Sequence, residues 1–598
     1  VGTKAAAEKR LSGQTRSRQM DTMTPDQHDD ALPDTQCAVQ LVGPGHLVLN
    51  RSKNVPRPGA HQIMVKIEAV GLCFSDLKLL NQFSAHPRKG EILSGIAPEV
   101  LEQIPSYVPG ELPTVPGHEV SCRIVAVGSD VTHHRVGERC LVQTDYRTLP
   151  TKGSNAAFGY NFEGGLQEYV LMDERVVVDT ATGVRSLIAV SEEPSASAVA
   201  LVEPWACVEN SYSTTNRRTL APGGRLLVVV DDGHVAMGLA EAARDGQAPA
   251  FVTIVAAAEV DCAWAGANAA VTRANDVGEL PDAAFDDVVY FGASKPTIDL
   301  LNDKLAMGAI INVVLGGAIV GAPVSVGVGR VHYEATRWIG TVGRSAADSY
   351  AAIPPSGELR PGDTLLAVGA AGPMGQMHIL RSLSAGVEGL TVVGTDLDDV
   401  RLRSLRVKAQ PLAQANGVSL RLVNPSSEPF AGTFSYQLIL VPVPSLVADA
   451  ISNSEDRGLI NIFAGIAVAT RQDIDLDTYI ARHCYMFGSS GSVVSDMEVL
   501  LGRIAAGRLD TNLSVDAISG MAGAPDGLAA LQGRTMAGKI VVYPCLHEVG
   551  LLSLAQLSGD FPTVASKLDD GHWCVEAERE LLKVAGSQPP LPADDEHD

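Results

Sequence analysis

Gly362-Asp363-Thr364-Leu365-Leu366-Ala367-Val368-Gly369-Ala370-Ala371-Gly372-Pro373-Met374-Gly375 begins a stretch that closes with Leu390-Thr391-Val392-Val393-Gly394-Thr395-Asp396. Leu365–Val368 is a short apolar run of the kind that forms a buried parallel strand, and Leu390–Val393 reads as a second one. Between them, Gly369, Gly372 and Gly375 make a tight turn, and the pattern from Met374 to Leu383 predicts a helix. A β-α-β unit of this kind brings backbone close to a pyrophosphate, offers it a helix N-terminus and ends in an acid suited to a ribose diol. Gly375 and Asp396 are 21 residues apart, near the roughly 20 expected of a dinucleotide fingerprint. Gly369, Gly372, Pro373, Met374, Gly375 and Asp396 are therefore the candidate cofactor-binding residues. Asp396 accepts hydrogen bonds from both ribose hydroxyls and repels a 2′-phosphate, which favours NAD over NADP. Asp398 and Asp399 add to that repulsion, and Arg401 and Arg403 offset part of it.

The same domain pattern occurs earlier in the chain. Gly223-Gly224-Arg225-Leu226-Leu227-Val228 corresponds to Gly362 onward, Phe285 to Phe434, Gly308 to Gly458 and Gly340 to Gly488. The offsets are 139, 149, 150 and 148 residues, steady enough to predict two tandem doubly wound parallel-sheet (Rossmann) domains, at 216–350 and 358–504. The earlier one reads Asp231-Asp232-Gly233-His234-Val235-Ala236-Met237-Gly238 where the later one has its glycine turn. Val235 crowds a pyrophosphate there, Asp231 and Asp232 repel it, and Ala256-Ala257-Ala258 replaces the acid. One NAD per chain, in the later domain, is expected. The two domains are expected either to pair within the chain as a pseudo-dimer, with homo-oligomerisation as the other option, or to have the earlier one line the substrate site. His332, Tyr333 and Arg337 are the polar groups of that earlier domain that could line such a site, with solvated surface the plainer reading.

Bulk properties narrow the function class. A chain of 598 residues predicts about three to four domains, and 45% hydrophobic with 19% charged residues suits a globular enzyme. A net charge of −23 argues against nucleic acid or an anionic membrane as partner. No apolar run reaches the length of a membrane span. Residues 1–36 are polar, read as a disordered arm and predict no secretory signal. Nine scattered cysteines make no disulfide framework, so a reducing, cytoplasmic setting is expected.

From Cys37 the pattern changes to short strands with turn signals, such as Gln62–Val70 and Val120–Val127, which predicts a β-barrel-like domain over 37–215. Asn81–Val115 reads as a long loop rich in Pro and Gly, either a wall of a substrate mouth or a surface insertion. Gly538-Lys539-Ile540-Val541-Val542-Tyr543-Pro544 reads as a closing strand, with about 505–544 completing the domain. An extension, 545–598, follows; Leu551–Leu557 and Val575–Val584 are expected to be helical, and Pro589–Asp598 an acidic tail.

Gly71-Leu72-Cys73-Phe74-Ser75-Asp76, Gly117-His118-Glu119, Gly164-Gly165-Leu166-Gln167-Glu168-Tyr169-Val170, Glu203-Pro204 and Gly372-Pro373-Met374-Gly375 occur in that order. Together they resemble the zinc-dependent medium-chain alcohol and polyol dehydrogenases, closest in pattern to the sorbitol, threonine and sugar-phosphate dehydrogenase branch, over about residues 37 to 544. The resemblance implies a GroES-like β-barrel catalytic domain and a divalent metal bound by Cys73, His118 and a glutamate. Glu119 is the usual partner in polyol-type members; Glu203 is either a ligand or the holder of zinc-bound water. Ser75 matches the hydroxyl that relays the alcohol proton, and Asp76 the carboxylate that orients a ligand. Spacing alone does not establish this set, because an isolated cysteine is more often core filling. Zinc lowers the pKa of a bound hydroxyl towards about 7 in favourable sites, and NAD accepts the hydride. One departure is that Cys140 is the only cysteine between 140 and 165, where many members carry four, so no structural zinc is expected.

The function these residues predict is oxidation of a secondary alcohol on a polyol, sugar or sugar-like small molecule. Two further readings stay open: a non-catalytic nucleotide-sensing or scaffold protein, and an NAD-using epimerase or lyase on the same fold.

Overall fold

The computed structural model describes residues 32–243 and 248–586. The terminal segments read as an arm up to residue 31 and as an acidic tail from Pro589 lie outside the described residues. The strand Thr35–Gly43 begins inside the segment read as an arm, because its backbone pairs antiparallel with His46–Asn54 and Cys37, Ala38 and Val39 are buried.

Two six-stranded sheets are entirely parallel and share one strand order. In the first, Ala270–Arg273, Phe251–Ala256, Arg225–Val230, Phe285–Phe291, Leu305–Val314 and Arg337–Thr341 lie side by side. In the second the order is Ser419–Val423, Thr391–Thr395, Thr364–Val368, Phe434–Ile439, Ser454–Ile462 and Tyr485–Phe487. These are Rossmann-type sheets, with the order reversing beside the strand that carries the glycine turn. The helix predicted from Met374 runs over Pro373–Ser384.

The two sheets are joined through one apolar core. Leu227, Val288, Ile311 and Trp338 of the first unit pack in the same cluster as Ile439, Ile460, Ile480 and Met486 of the second. Val324–Val326 pairs antiparallel with Gln472–Ile474, and the Tyr479 hydroxyl donates to the Trp338 carbonyl at 2.8 Å. His332 is buried here, with Nδ1 3.1 Å from the Ile462 carbonyl. The Arg337 guanidinium donates to the Gly488 carbonyl at 2.7 Å. Both were read as solvated surface; they cap backbone carbonyls across the seam instead.

A third, eight-stranded sheet contains Gln62–Gly71, Glu119–Val127, Arg139–Val142, Tyr169–Asp173 and Leu187–Ala189. The distant strands Val515–Ser519 and Lys539–Val542 extend it, with Val541 opposite Gly71. Between residues 145 and 157 a hairpin of Asp145–Thr151 and Ser154–Ala157 stands.

Two readings need correction. Leu551–Leu557 is not a helix: Leu552–Ser553 is an edge strand on Ala517–Ile518, and only Leu557–Asp560 is helical. An available sheet edge overrides a weak helical pattern of seven residues. The stretch 81–115, read as one long loop, contains short helical elements. Phe83–Ala85, Pro87–Lys89 and Pro98–Leu101 are short helical turns. The buried Lys89 ammonium ties them down by donating to the Val108 and Leu112 carbonyls. Val575–Gly586 is helical. No helix among the described residues is long and apolar enough to cross a membrane.

Candidate metal and dinucleotide sites

Cys73 lies between the strand Gln62–Gly71 and the helix Phe74–Gln82. Asp76, in the first turn of that helix, accepts from the Cys73 amide at 2.9 Å and so fixes the turn that presents the thiol. His118 directly precedes the strand Glu119–Val127. Gly117 before it has φ +95°, and an added Cβ would press on Leu166 and Val70 at 3.0 Å. Only glycine takes that conformation without strain. The two segments converge, with His118 Nδ1 3.0 Å from Asp76 Oδ1 and both side chains buried. That contact leaves Nε2 for a metal, the usual arrangement for a ligating imidazole.

The Ser75 hydroxyl is 3.0 Å from both Cys73 Sγ and His118 Nε2. Glu119 is fully buried and ion-paired with Lys539, which also donates to the Leu72 carbonyl at 3.1 Å. Its second oxygen, Oε2, has no partner among the described residues. Gly71 lacks a side chain for the same reason: an added Cβ would overlap that oxygen. Among the described residues one cluster has metal-ligand geometry. Donor atoms of Cys73, His118 and Glu119 all lie within 4.8 Å of one another. Thiolate, imidazole and carboxylate, with one carboxylate oxygen buried and unsatisfied, fit a zinc ion with an open position.

Glu203 is not a member of that cluster. It lies in the helix Val202–Ser213, with Cys207 Sγ 4.0 Å away. Burial pushes its carboxyl up to about 7, Glu119 and Asp145 add to the rise, and His118 and Lys539 oppose it. A nearby cation would draw it back down. Burial works against the charge on His118, but Asp76 overcomes it and holds the imidazole above its ordinary range.

Three neighbours were not foreseen. Lys539 belongs to a strand read only as the domain's closure. Tyr160 is buried with its ring 5.7 Å from His118 and 5.0 Å from His86. Arg88 lies 5.4 Å over the Tyr160 ring and pairs with Asp145 at 2.9 Å. His86 and Arg88 come from the 81–115 stretch, so that stretch reaches the side of the metal cluster. The only prior signal was that it follows Cys73 in the chain.

At the other site, Gly369 has φ +88°. A Cβ on Gly375 would overlap the Gly369 and Ala370 carbonyls, whereas one on Gly372 would find nothing nearer than Gly369 O at 3.8 Å. Gly375 thus permits helix and strand to pack, and Gly372 leaves open space over the turn, the space a pyrophosphate requires. Pro373 occupies the first turn of the helix, followed by Met374. The Asp396 carboxylate is half-buried and accepts from the Ala371 and Asp398 amides, each at 3.1 Å. In the first sheet the corresponding turn leads only to the four-residue helix Leu239–Ala242. Asp231 there is bonded to the Tyr290 hydroxyl, and Val235 is exposed.

Comparison with known proteins agrees with this geometry. Residues 59–182 match the alcohol dehydrogenase GroES-like domain. A sorbitol dehydrogenase of Halalkalibacterium halodurans is 26% identical over 44% of this chain and 72% of its own length. A D-altritol 5-dehydrogenase of Agrobacterium fabrum is 29% identical over 30% of this chain and 45% of its own. An NAD-dependent alcohol dehydrogenase of Saccharolobus solfataricus is 26% identical over 23% and 38%. The domain match and these relatives make the chain similar to zinc-type medium-chain alcohol and polyol dehydrogenases.

Proposed function

We propose that this chain is a zinc- and NAD-dependent dehydrogenase oxidising a secondary alcohol of a polyol or sugar-like molecule. The observation that carries the reading is the buried cluster of Cys73, His118 and Glu119, with Glu119 Oε2 unsatisfied. In this reading Cys73, His118 and Glu119 hold the metal, and Glu203 stands beside them as a carboxylate that can hold water. Asp76 keeps the His118 tautomer with its proton on Nδ1. The Ser75 hydroxyl, between thiol and imidazole, carries the alcohol proton away from the reacting oxygen. When bound, the metal supplies Lewis acidity to the substrate hydroxyl and NAD accepts the hydride. Gly369, Gly372 and Gly375 shape the pyrophosphate turn, Pro373 and Met374 open its helix, and Asp396 receives the ribose.

The two parallel sheets are read as copies of one domain, the second binding NAD and the first pairing with it as an intrachain pseudo-dimer. Their common strand order and shared core support this. Elemental analysis is expected to find about one zinc per chain, lost in Cys73→Ala and His118→Ala. A polyol panel followed by NADH absorbance is expected to show metal-dependent oxidation. Zinc-free protein of full activity would defeat the reading.

A further inference from the structure

Lys78 lies one helical turn beyond Ser75 in Phe74–Gln82, so the two side chains leave the same face. Its ammonium is exposed, and its recorded partners are the Tyr333 hydroxyl at 3.5 Å and the Tyr333 ring at 5.9 Å. No carboxylate pairs with it among the described residues. Arg88 and Lys539 are compensated by Asp145 and Glu119, and the Arg337 guanidinium is taken up by backbone carbonyls.

Three parts of the molecule meet at this pair. Tyr333 ends the helix Val328–Tyr333 of the first unit. Its hydroxyl lies against Gly465, just past the strand Ser454–Ile462 of the second, where an added Cβ would be 2.6 Å away. Lys78 belongs to the helix that follows Cys73. A series of neighbours leads back to the metal cluster: burial and then Arg88 and Lys78 push His86 down to about 4, His86 packs on Tyr160, and Tyr160 on His118. An ammonium without a carboxylate partner, in a chain of net charge −23, is a local point of positive charge that attracts anions.

We infer that Lys78, with the hydroxyl of Tyr333, receives an anionic group carried by the alcohol substrate, a phosphate ester or a carboxylate. The ammonium gives a charge-assisted hydrogen bond to an anionic oxygen, and the phenol hydroxyl donates a second. The inference rests on the dehydrogenase reading and gives the first unit a part in substrate recognition.

The test uses the full chain with zinc and NAD against hexitols and pentitols, their terminal phosphates and the matching aldonates. At least one anionic class is expected to exceed its neutral counterpart in kcat/KM by about tenfold or more. Lys78→Gln is expected to lower kcat/KM about ten- to hundredfold on that class, mainly through KM, and by a smaller factor on neutral alcohols. Lys78→Arg restores most of the loss, and Tyr333→Phe gives a smaller one. The preferred class tells phosphate from carboxylate. Neutral alcohols used best, or Lys78→Gln affecting both classes equally, overturns the inference. Calorimetric titration of the same phosphates and aldonates into the NADH-loaded chain reads binding without turnover, and binding by neither anion also overturns it. Lys78-dependent anion binding with no NADH from any alcohol would sink the dehydrogenase reading alone. Alcohol oxidation that favours no anionic class and is unchanged by Lys78→Gln on every substrate would sink this inference alone.

Discussion

Lys539 pairs with one carboxylate oxygen of Glu119, and the other oxygen stays buried and unpaired in the cluster with Cys73 and His118. The pair joins segments 420 residues apart, so the far end of the eight-stranded sheet decides how Glu119 is held.

Lys539→Met strands a buried carboxylate, a change that costs about 3–5 kcal/mol when one partner of a buried pair is removed. Zinc-free protein is expected to melt several degrees lower. Because a cation on Glu119 offsets the missing ammonium, zinc should raise Tm more in the variant than in the parent. Calorimetry with chelator and with excess zinc checks this; an equal drop in both states would show that Lys539 acts on the fold alone.

The two glycines of the turn should separate folding from binding. Gly375→Ala forces a methyl into the Gly369 and Ala370 carbonyls and is expected to lower Tm. Gly372→Ala has room and should keep the fold while weakening NADH binding about tenfold or more, roughly 1.4 kcal/mol. Circular-dichroism melts and NADH fluorescence titration decide it, and the opposite pattern would reassign the turn.

Acid should destabilise the protein through buried neutral histidines. Burial pushes His86 and His332 down to about 4 and His378 to about 3, with Arg381 adding to the last. Between about pH 4 and 6.5 the unfolded chain takes up protons that the native one refuses, so stability falls as pH drops through that window. His378 Nδ1 is 2.9 Å from the Tyr212 hydroxyl and its Nε2 has no hydrogen-bond partner among the described residues. His378→Gln should flatten the pH dependence of the urea midpoint, and an unchanged slope would exclude it as a source.

The seam between the parallel sheets should be cooperative. Tyr479 donates to the Trp338 carbonyl and accepts from the Met486 amide at 2.9 Å. Tyr479→Phe leaves both groups buried and unmatched, at about 1–3 kcal/mol each. Hydrogen exchange is expected to quicken in Arg337–Thr341 and Tyr485–Phe487 together. Faster exchange in the second strand only would show the units to be energetically independent.

Local signals were legible wherever periodicity and glycine placement speak for themselves. Thr364–Val368, the turn at Gly369–Gly375 and Asp396 lie where the β-α-β reading puts them. Non-local chemistry was not. Cys73 and His118 stand 45 residues apart, and nothing in spacing alone brings them together. Lys539 looks like any strand residue until its sheet closes on Glu119. The 81–115 stretch hid its order because a buried lysine binding backbone carbonyls has no sequence signature, and Leu552 followed a sheet edge that local propensity cannot see.

The shared core of the parallel sheets has a thermodynamic corollary. Partners tethered in one polypeptide meet at an effective concentration set by the chain, so dilution cannot part them. The contact between the two sheets should then hold at concentrations where a separable pair would come apart. The two halves already differ: the later one has the open glycine turn at Gly369–Gly375, and the earlier one has Asp231 bonded to Tyr290 at the corresponding place.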